Sequence, residues 1–259
     1  MKLYLAWYST WKKMLPTVEM GQNYLETYLV AKSRDMEKEY AWSKKRFFLD
    51  SWAYSAKTRW IVININEYIN FLLKNEKYFE VYANLDVIWD AEATDRNQKI
   101  MESKWLRPLP TYHLWEPVKY FEALVHNYDY IWIWGLVGEW NQNNKMKPMF
   151  DYIFWYVVKH KLKTKFHGWW MTSPAFMRAY PFYSVDSTGW LSWWKFRSVM
   201  FYKNWKLKTV WADKMRWSIW IDWWKKNHEM INLHNARAYC QYAEYCTRLH
   251  RAKGMEYRL

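Results

Sequence analysis

Tyr183-Ser184-Val185-Asp186-Ser187-Thr188-Gly189-Trp190 is the stretch whose reading decides the fold. Phe182 to Val185 predicts a short buried strand that ends on the carboxylate of Asp186 and breaks at once into small polar residues and a glycine. A carboxylate at the end of a strand points into whatever space the following loops enclose. The same grammar recurs at Arg46-Phe47-Phe48-Leu49-Asp50-Ser51 and at Val81-Tyr82-Ala83-Asn84-Leu85-Asp86. It appears again at Tyr130-Ile131-Trp132-Ile133-Trp134-Gly135-Leu136-Val137-Gly138-Glu139. In each case an acid closes an apolar run.

Working outward, Lys2 to Ala6 predicts a first strand, and Asn23 to Lys32 a helical stretch with Leu25, Tyr28 and Leu29 on one face. Pro108 to His113 and Thr164 to His167 predict further strands. Phe196 to Tyr202 supplies an eighth, turning at Lys203-Asn204-Trp205-Lys206 if position 205 is glycine. Helical spacing marks Asn66 to Lys74, Ala93 to Ser103, Glu116 to His126 and Ser173 to Tyr180. The longest amphipathic stripe is Met146, Met149, Phe150, Ile153, Phe154, Val157 and Val158, which reads as core. A terminal helix covers about residues 226–252.

Strands alternating with helices predict an α/β chain with a parallel sheet, and their number predicts a (β/α)8 TIM-type barrel with a C-terminal helix, all of residues 1–259 in one domain. Strand ends in such a barrel converge on one mouth. Asp50, Asp86, His113, Glu139, His167 and Asp186 are therefore expected to ring a single site. No dinucleotide or phosphate-loop glycine motif is present.

The chain has 39 Lys and Arg against 25 Asp and Glu, a net charge of +14, so its surface attracts polyanions and nucleic acid is the expected partner. Lys195, Arg197, Lys203, Lys206 and Lys208 follow Asp186, and Lys159, Lys161, Lys163 and Lys165 form a second basic cluster, for which a solvated face is the alternative. The longest apolar run, Ile131 to Gly138, is eight residues, far short of the ~20 that span a bilayer. Met1 to Ala6 lacks the pattern of a signal peptide, and Cys240 and Cys246 sit six apart on the terminal helix. The expectation is a cytoplasmic protein with free thiols and no membrane segment. His228, His234 and His250 lack the pairing of a metal site, while His113 and His167 read as base contacts or as hydrogen-bonded structural histidines.

Glycine numbers only 6 and tryptophan 23. Many tryptophans stand where the chain needs a turn: Trp52 after Asp-Ser, Trp89 before Asp90, Trp140 after Glu139, Trp205 between Asn204 and Lys206. Such positions favour glycine and disfavour an indole. The codon UGA encodes tryptophan in some genetic codes and glycine in others, and the sequence reads as one in which that choice matters. The alternative is a protein rich in aromatic surface.

Paired carboxylates suit chemistry at the anomeric carbon of a sugar, one as nucleophile and one moving a proton. Leu49-Asp50-Ser51-Trp52-Ala53-Tyr54 resembles the Asp-Ser-Gly-Gly-Phe/Tyr motif of the tRNA-guanine transglycosylases. Ile133-Trp134-Gly135-Leu136-Val137-Gly138-Glu139 resembles their Gly-Gly-Leu-Ala-Val-Gly-Glu motif, and Tyr183-Ser184-Val185-Asp186 is similar to the strand that carries their nucleophilic aspartate. Both glycine motifs become nearly complete with glycine at positions 52 and 134. The resemblance runs from about residue 45 to about residue 205 and keeps the family's order.

The resemblance implies base exchange in nucleic acid. Asp186 attacks C1′ of a guanosine and expels guanine, and Asp50 deprotonates an incoming 7-deazaguanine. Asp86 accepts hydrogen bonds from the base, with Ser51, Gly135, Leu136, Gly138 and Glu139 around it. The target nucleotide has to leave its stack or be held in a loop. No cofactor is implied. The cysteines lack the spacing of the family's zinc site, and the length is closer to compact phage-type relatives that act on DNA, so DNA is favoured while tRNA stays open. Two other readings remain: a retaining glycoside hydrolase with tryptophan sugar platforms, and a non-catalytic basic barrel that binds nucleic acid by charge and stacking.

Overall fold

The computed structural model describes residues 1–6, 23–40, 47–134, 143–192, 197–211 and 228–255. Gly135, Leu136, Gly138, Glu139 and Lys195, all named above, lie outside them, as does Trp140. The fold is α/β of the (β/α)8 TIM type with a C-terminal helix. Its residues group into two compact units, one of residues 25–169 and one built mainly from residues 1–24 and 170–257.

The unit of residues 25–169 holds most of β2 (Asn23–Thr27), then helices α1 (Tyr28–Ala31) and α2 (Met36–Tyr40) before β3 (Phe47–Asp50). It continues with α3 (Ala53–Thr58), α4 (Ile65–Asn75), β4 (Phe79–Tyr82), α5 (Ala91–Glu102), β5 (Thr111–His113) and α6 (Val118–Asn127), and ends with β6 (Tyr130–Trp134), α7 (Asn143–Lys159) and β7 (Lys165–Gly168). In the sheet β3 lies between β2 and β4, and β6 between β5 and β7. The β3–β4, β5–β6 and β6–β7 ladders are parallel. A parallel bridge, Ala83 to Leu109, links the end of β4 to the approach to β5. Polar caps start the helices: the Asn64 side chain accepts the backbone N–H groups of Asn66 and Glu67 at 2.8 and 3.3 Å, and Asp90 Oδ1 accepts that of Ala93 at 2.8 Å. On α7 the residues buried from the predicted stripe are Met146, Phe150, Ile153 and Val157, while Val158 faces solvent.

The other unit pairs β1 (Lys2–Ala6) with β8 (Ser184–Ser187) in parallel, Tyr4 opposite Asp186. It also holds α8 (Pro174–Ala179), the antiparallel hairpin β9 (Ser198–Lys203) and β10 (Lys206–Trp211), and the long α9 (His228–Ala252). Buried polar contacts hold α9 in place. Asn235 Oδ1 accepts the backbone N–H of Met200 at 2.7 Å, Tyr242 donates to Pro174 O at 2.8 Å, and His250 Nε2 lies 2.8 Å from Met177 O. Gly189 is needed for this packing, since a Cβ there would come within 2.4 Å of the Tyr239 hydroxyl oxygen.

Four expectations need correction. Residues 23–27 form a strand, not the start of a helix, and the consecutive burial of Tyr24, Leu25, Glu26 and Thr27 is that of a strand covered on both faces. The eighth parallel strand is this one. The predicted eighth, within residues 196–202, belongs instead to the separate β9–β10 hairpin. Asp86 does not close its strand: β4 ends at Tyr82, and Asp86 follows in the connection to α5. Asp186 sits inside β8, with Ser187 as the last strand residue.

Candidate functional site

Within the unit of residues 25–169, Asp50 closes β3 and bends back on the next turn, where its Oδ1 accepts the backbone N–H of Trp52 at 2.9 Å. Trp52 there adopts a left-handed conformation, φ 68°. The neighbouring Ser51, fully buried, donates its hydroxyl to Asp86 Oδ1 at 3.0 Å. The second oxygen of Asp86 lies 3.1 Å from His113 Nε2, and His113 Nδ1 lies 2.7 Å from Glu116 Oε1. A linear array Ser51–Asp86–His113–Glu116 results, all of it buried.

Burial opposes the charged form of His113. The hydrogen bonds to Asp86 and Glu116, together with their charges, outweigh it and push the imidazole pKa up to about 9. At neutral pH an imidazolium between two carboxylates donates from both nitrogens. Asp86 is thereby fixed as an acceptor, with one lone pair on each oxygen engaged and one left over.

Asp50, Asp86 and Thr111 supply the polar wall of a pocket whose apolar lining includes Trp52, Tyr54, Trp132, Trp134 and Trp169. The free space left among these rings is about 20 Å³, room for about one water molecule. Trp134 contacts Tyr54 and Trp169 at ring-centroid distances of 5.2 and 4.9 Å, and it meets the edge of His113 at 5.3 Å. The other face of the polar array is also aromatic, with Trp115 stacked on His113 at 5.1 Å. Behind the wall, Thr111 donates to Asn84 Oδ1 at 2.8 Å.

The structure brings Asp50, Ser51, Asp86 and His113 together, with His113 behind Asp86 as its support. His167 is fully buried on β7 against Phe48 and Trp132, at ring distances of 4.7 and 5.5 Å. Glu116, which anchors the far end of the array, went unrecognised in the sequence. Its signal was the spacing His113-Leu114-Trp115-Glu116, a turn closed by the Glu116 N–H on His113 O at 2.9 Å.

In the other unit Asp186 is fully buried, and its Oδ1 accepts the backbone N–H of Trp170 at 2.8 Å. The next residue, Ser187, meets Thr172 Oγ1 at 2.9 Å and accepts the Gly189 N–H at 2.8 Å, so the loop after β8 is tied to its own strand. Arg197, Lys203, Lys206 and Lys208 are exposed, and Lys203 and Lys206 face one another across the hairpin. Burial pushes the thiols of Cys240 and Cys246 up to about 12 and about 11, so both are poor nucleophiles. Among the described residues no helix is long and apolar enough to cross a membrane.

No family model, curated protein or solved structure matches the chain.

Proposed function

We propose that the protein is a base-exchange transglycosylase that replaces guanine in nucleic acid with a 7-deazaguanine. The observation that carries this reading is the acceptor geometry of Asp86. Ser51 and His113 each occupy one lone pair of its carboxylate, and the two that remain suit the adjacent N1–H and 2-amino donors of a guanine-type base. Asp50, on the same pocket, is the base that takes a proton from the incoming heterocycle. Asp186 is the nucleophile: its carboxylate bonds to C1′ as the C1′–N9 bond to guanine breaks, and the incoming 7-deazaguanine then displaces it from the same carbon. The N–H of Trp170 on Asp186 Oδ1 orients that carboxylate. The exposed lysines of the hairpin supply sequence-independent affinity for phosphates, and DNA is the preferred polymer, with tRNA the alternative.

The test is incorporation of labelled 7-deazaguanine into DNA and tRNA by the protein from its native source. Asp186→Ala should abolish exchange while binding to the polyanion persists. Exchange that continues undiminished in that variant would remove Asp186 from the mechanism and the reading with it.

A further inference from the structure

Nine non-glycine residues among those described have positive φ, and six are tryptophan: Trp52, Trp60, Trp89, Trp105, Trp170 and Trp205. Tryptophan makes up 23 of 259 residues, under one in ten, so chance would place about one there. An indole has no physical reason to seek this backbone region, which crowds Cβ in every L-residue and which glycine alone enters freely.

The local motifs agree. Trp60 follows α3 with its N–H on Lys57 O at 3.2 Å, while the Ile61 N–H returns to Ala56 O at 2.9 Å. That pair of bonds defines a helix stop whose left-handed residue is usually glycine. Trp89 is the third residue of a turn closed by Asp90 N–H on Val87 O at 3.0 Å, the place a type II turn reserves for glycine. Asn204 and Trp205, at φ 51° and 61°, are the two central residues of the β9–β10 hairpin, where Asn-Gly is the favoured pair for two positive φ values. Trp60 and Trp105 are 94% and 93% exposed, so no packing has recruited those rings.

Trp190 is the opposite case. It is fully buried, has negative backbone φ, and donates its indole N–H to Ala6 O at 3.0 Å. The indole N–H atoms of Trp115 and Trp132 are also buried, and they find no acceptor among the described residues. A native core seldom leaves such a donor unpaired.

We infer that the native polypeptide carries glycine at positions 52, 60, 89, 105, 170 and 205, encoded by UGA, and tryptophan at position 190, encoded by UGG. The same assignment extends to positions 115 and 132, whose indoles find no acceptor among the described residues. It bears on the site because Trp52 and Trp132 line the pocket beside Asp50 and Asp86. An indole is a fused six- and five-membered bicycle, as a purine is, so each ring removed vacates space of the size a base needs. This last consequence rests on the base-exchange reading; the codon assignment does not.

The test is to read the codons of the gene at these positions and to measure tryptic peptide masses of the protein from its native source. UGA codons with glycine masses at the six left-handed positions, and UGG with a tryptophan mass at 190, are expected. UGG codons or tryptophan masses at the six would overturn the inference, and so would glycine at 190. Glycine at the six together with no base exchange would leave the inference standing and refute the transglycosylase.

Discussion

Trp190 and Trp60 show two ways in which this chain carries an indole. Around Trp190 every level agrees: the ring is buried, its N–H has a backbone acceptor in β1, and the adjoining Gly189 lets Tyr239 of α9 come close. At Trp60 the levels conflict, with a left-handed backbone, a helix stop suited to glycine and a ring held in water. Consistency among propensity, packing and hydrogen bonding is what specifies a fold. The comparison separates residues that build this protein from residues it merely tolerates.

The largest effect that would break the comparison is at position 190. Trp190→Ala removes a fully buried bicycle together with its N–H donation to the Ala6 carbonyl, which should cost about 3–5 kcal/mol in urea denaturation. A loss below about 1 kcal/mol would place Trp190 in the tolerated class and dissolve the contrast.

The polar array beside the pocket belongs with Trp190, since each member has a partner. His113 has its pKa raised from 6.5 to about 9. A raised folded-state pKa gives stability that is complete below the unfolded value and is lost as the pH rises through the folded one. Stability from this group should therefore be full near pH 6 and decline through about pH 9. Glu116→Gln removes one of the two carboxylates that hold the imidazolium, so its decline should begin at lower pH than in the parent, and neutral-pH stability should fall by about 1–3 kcal/mol. Chemical denaturation across that pH range checks both; parallel pH profiles for parent and variant would show that the His113–Glu116 contact carries no charge.

Much of the fold was legible because several apolar runs bounded by polar breaks are too short for a helix and so read as buried strands. Lys2 to Ala6 and Tyr130 to Trp134 match the observed strands to the residue, α7 follows from its apolar stripe, and α9 matches the expected terminal helix to within two residues. Asn23 to Thr27 misled because Leu25, Tyr28 and Leu29 share a helical spacing, while the burial of four consecutive residues, 24 to 27, leaves no periodic trace in the sequence. Phe196 to Tyr202 misled only in its sheet: its run is a strand and its turn falls at Lys203-Asn204-Trp205-Lys206 as expected, but the strand pairs with β10 instead of joining the parallel sheet. In the site, Asp50 could be read from its strand-end position. The role of His113 as a support for Asp86 could not, because it depends on Glu116, whose carboxylate reaches back across a turn that no periodicity marks.

The smallest effects sharpen the comparison most, because they run against the usual rule that replacing a large side chain by glycine destabilises. At Trp60 and Trp105 the ring is solvated and the backbone left-handed, so nothing is lost with the indole and the Cβ strain is relieved. Trp60→Gly and Trp105→Gly should each stabilise by about 1 kcal/mol. Trp205→Gly should gain less. Its backbone is equally left-handed, but its ring stacks on Tyr245 at 5.4 Å and 29°, a contact worth about 0.5–1.5 kcal/mol that offsets much of the relief. Thermal melts of the three variants rank them directly. Trp60 and Trp105 variants that melt above the parent, with the Trp205 variant near it, would show that backbone conformation sets the sign and ring contacts only the size; destabilisation at all three would mean that the left-handed indoles are held by interactions the native fold requires.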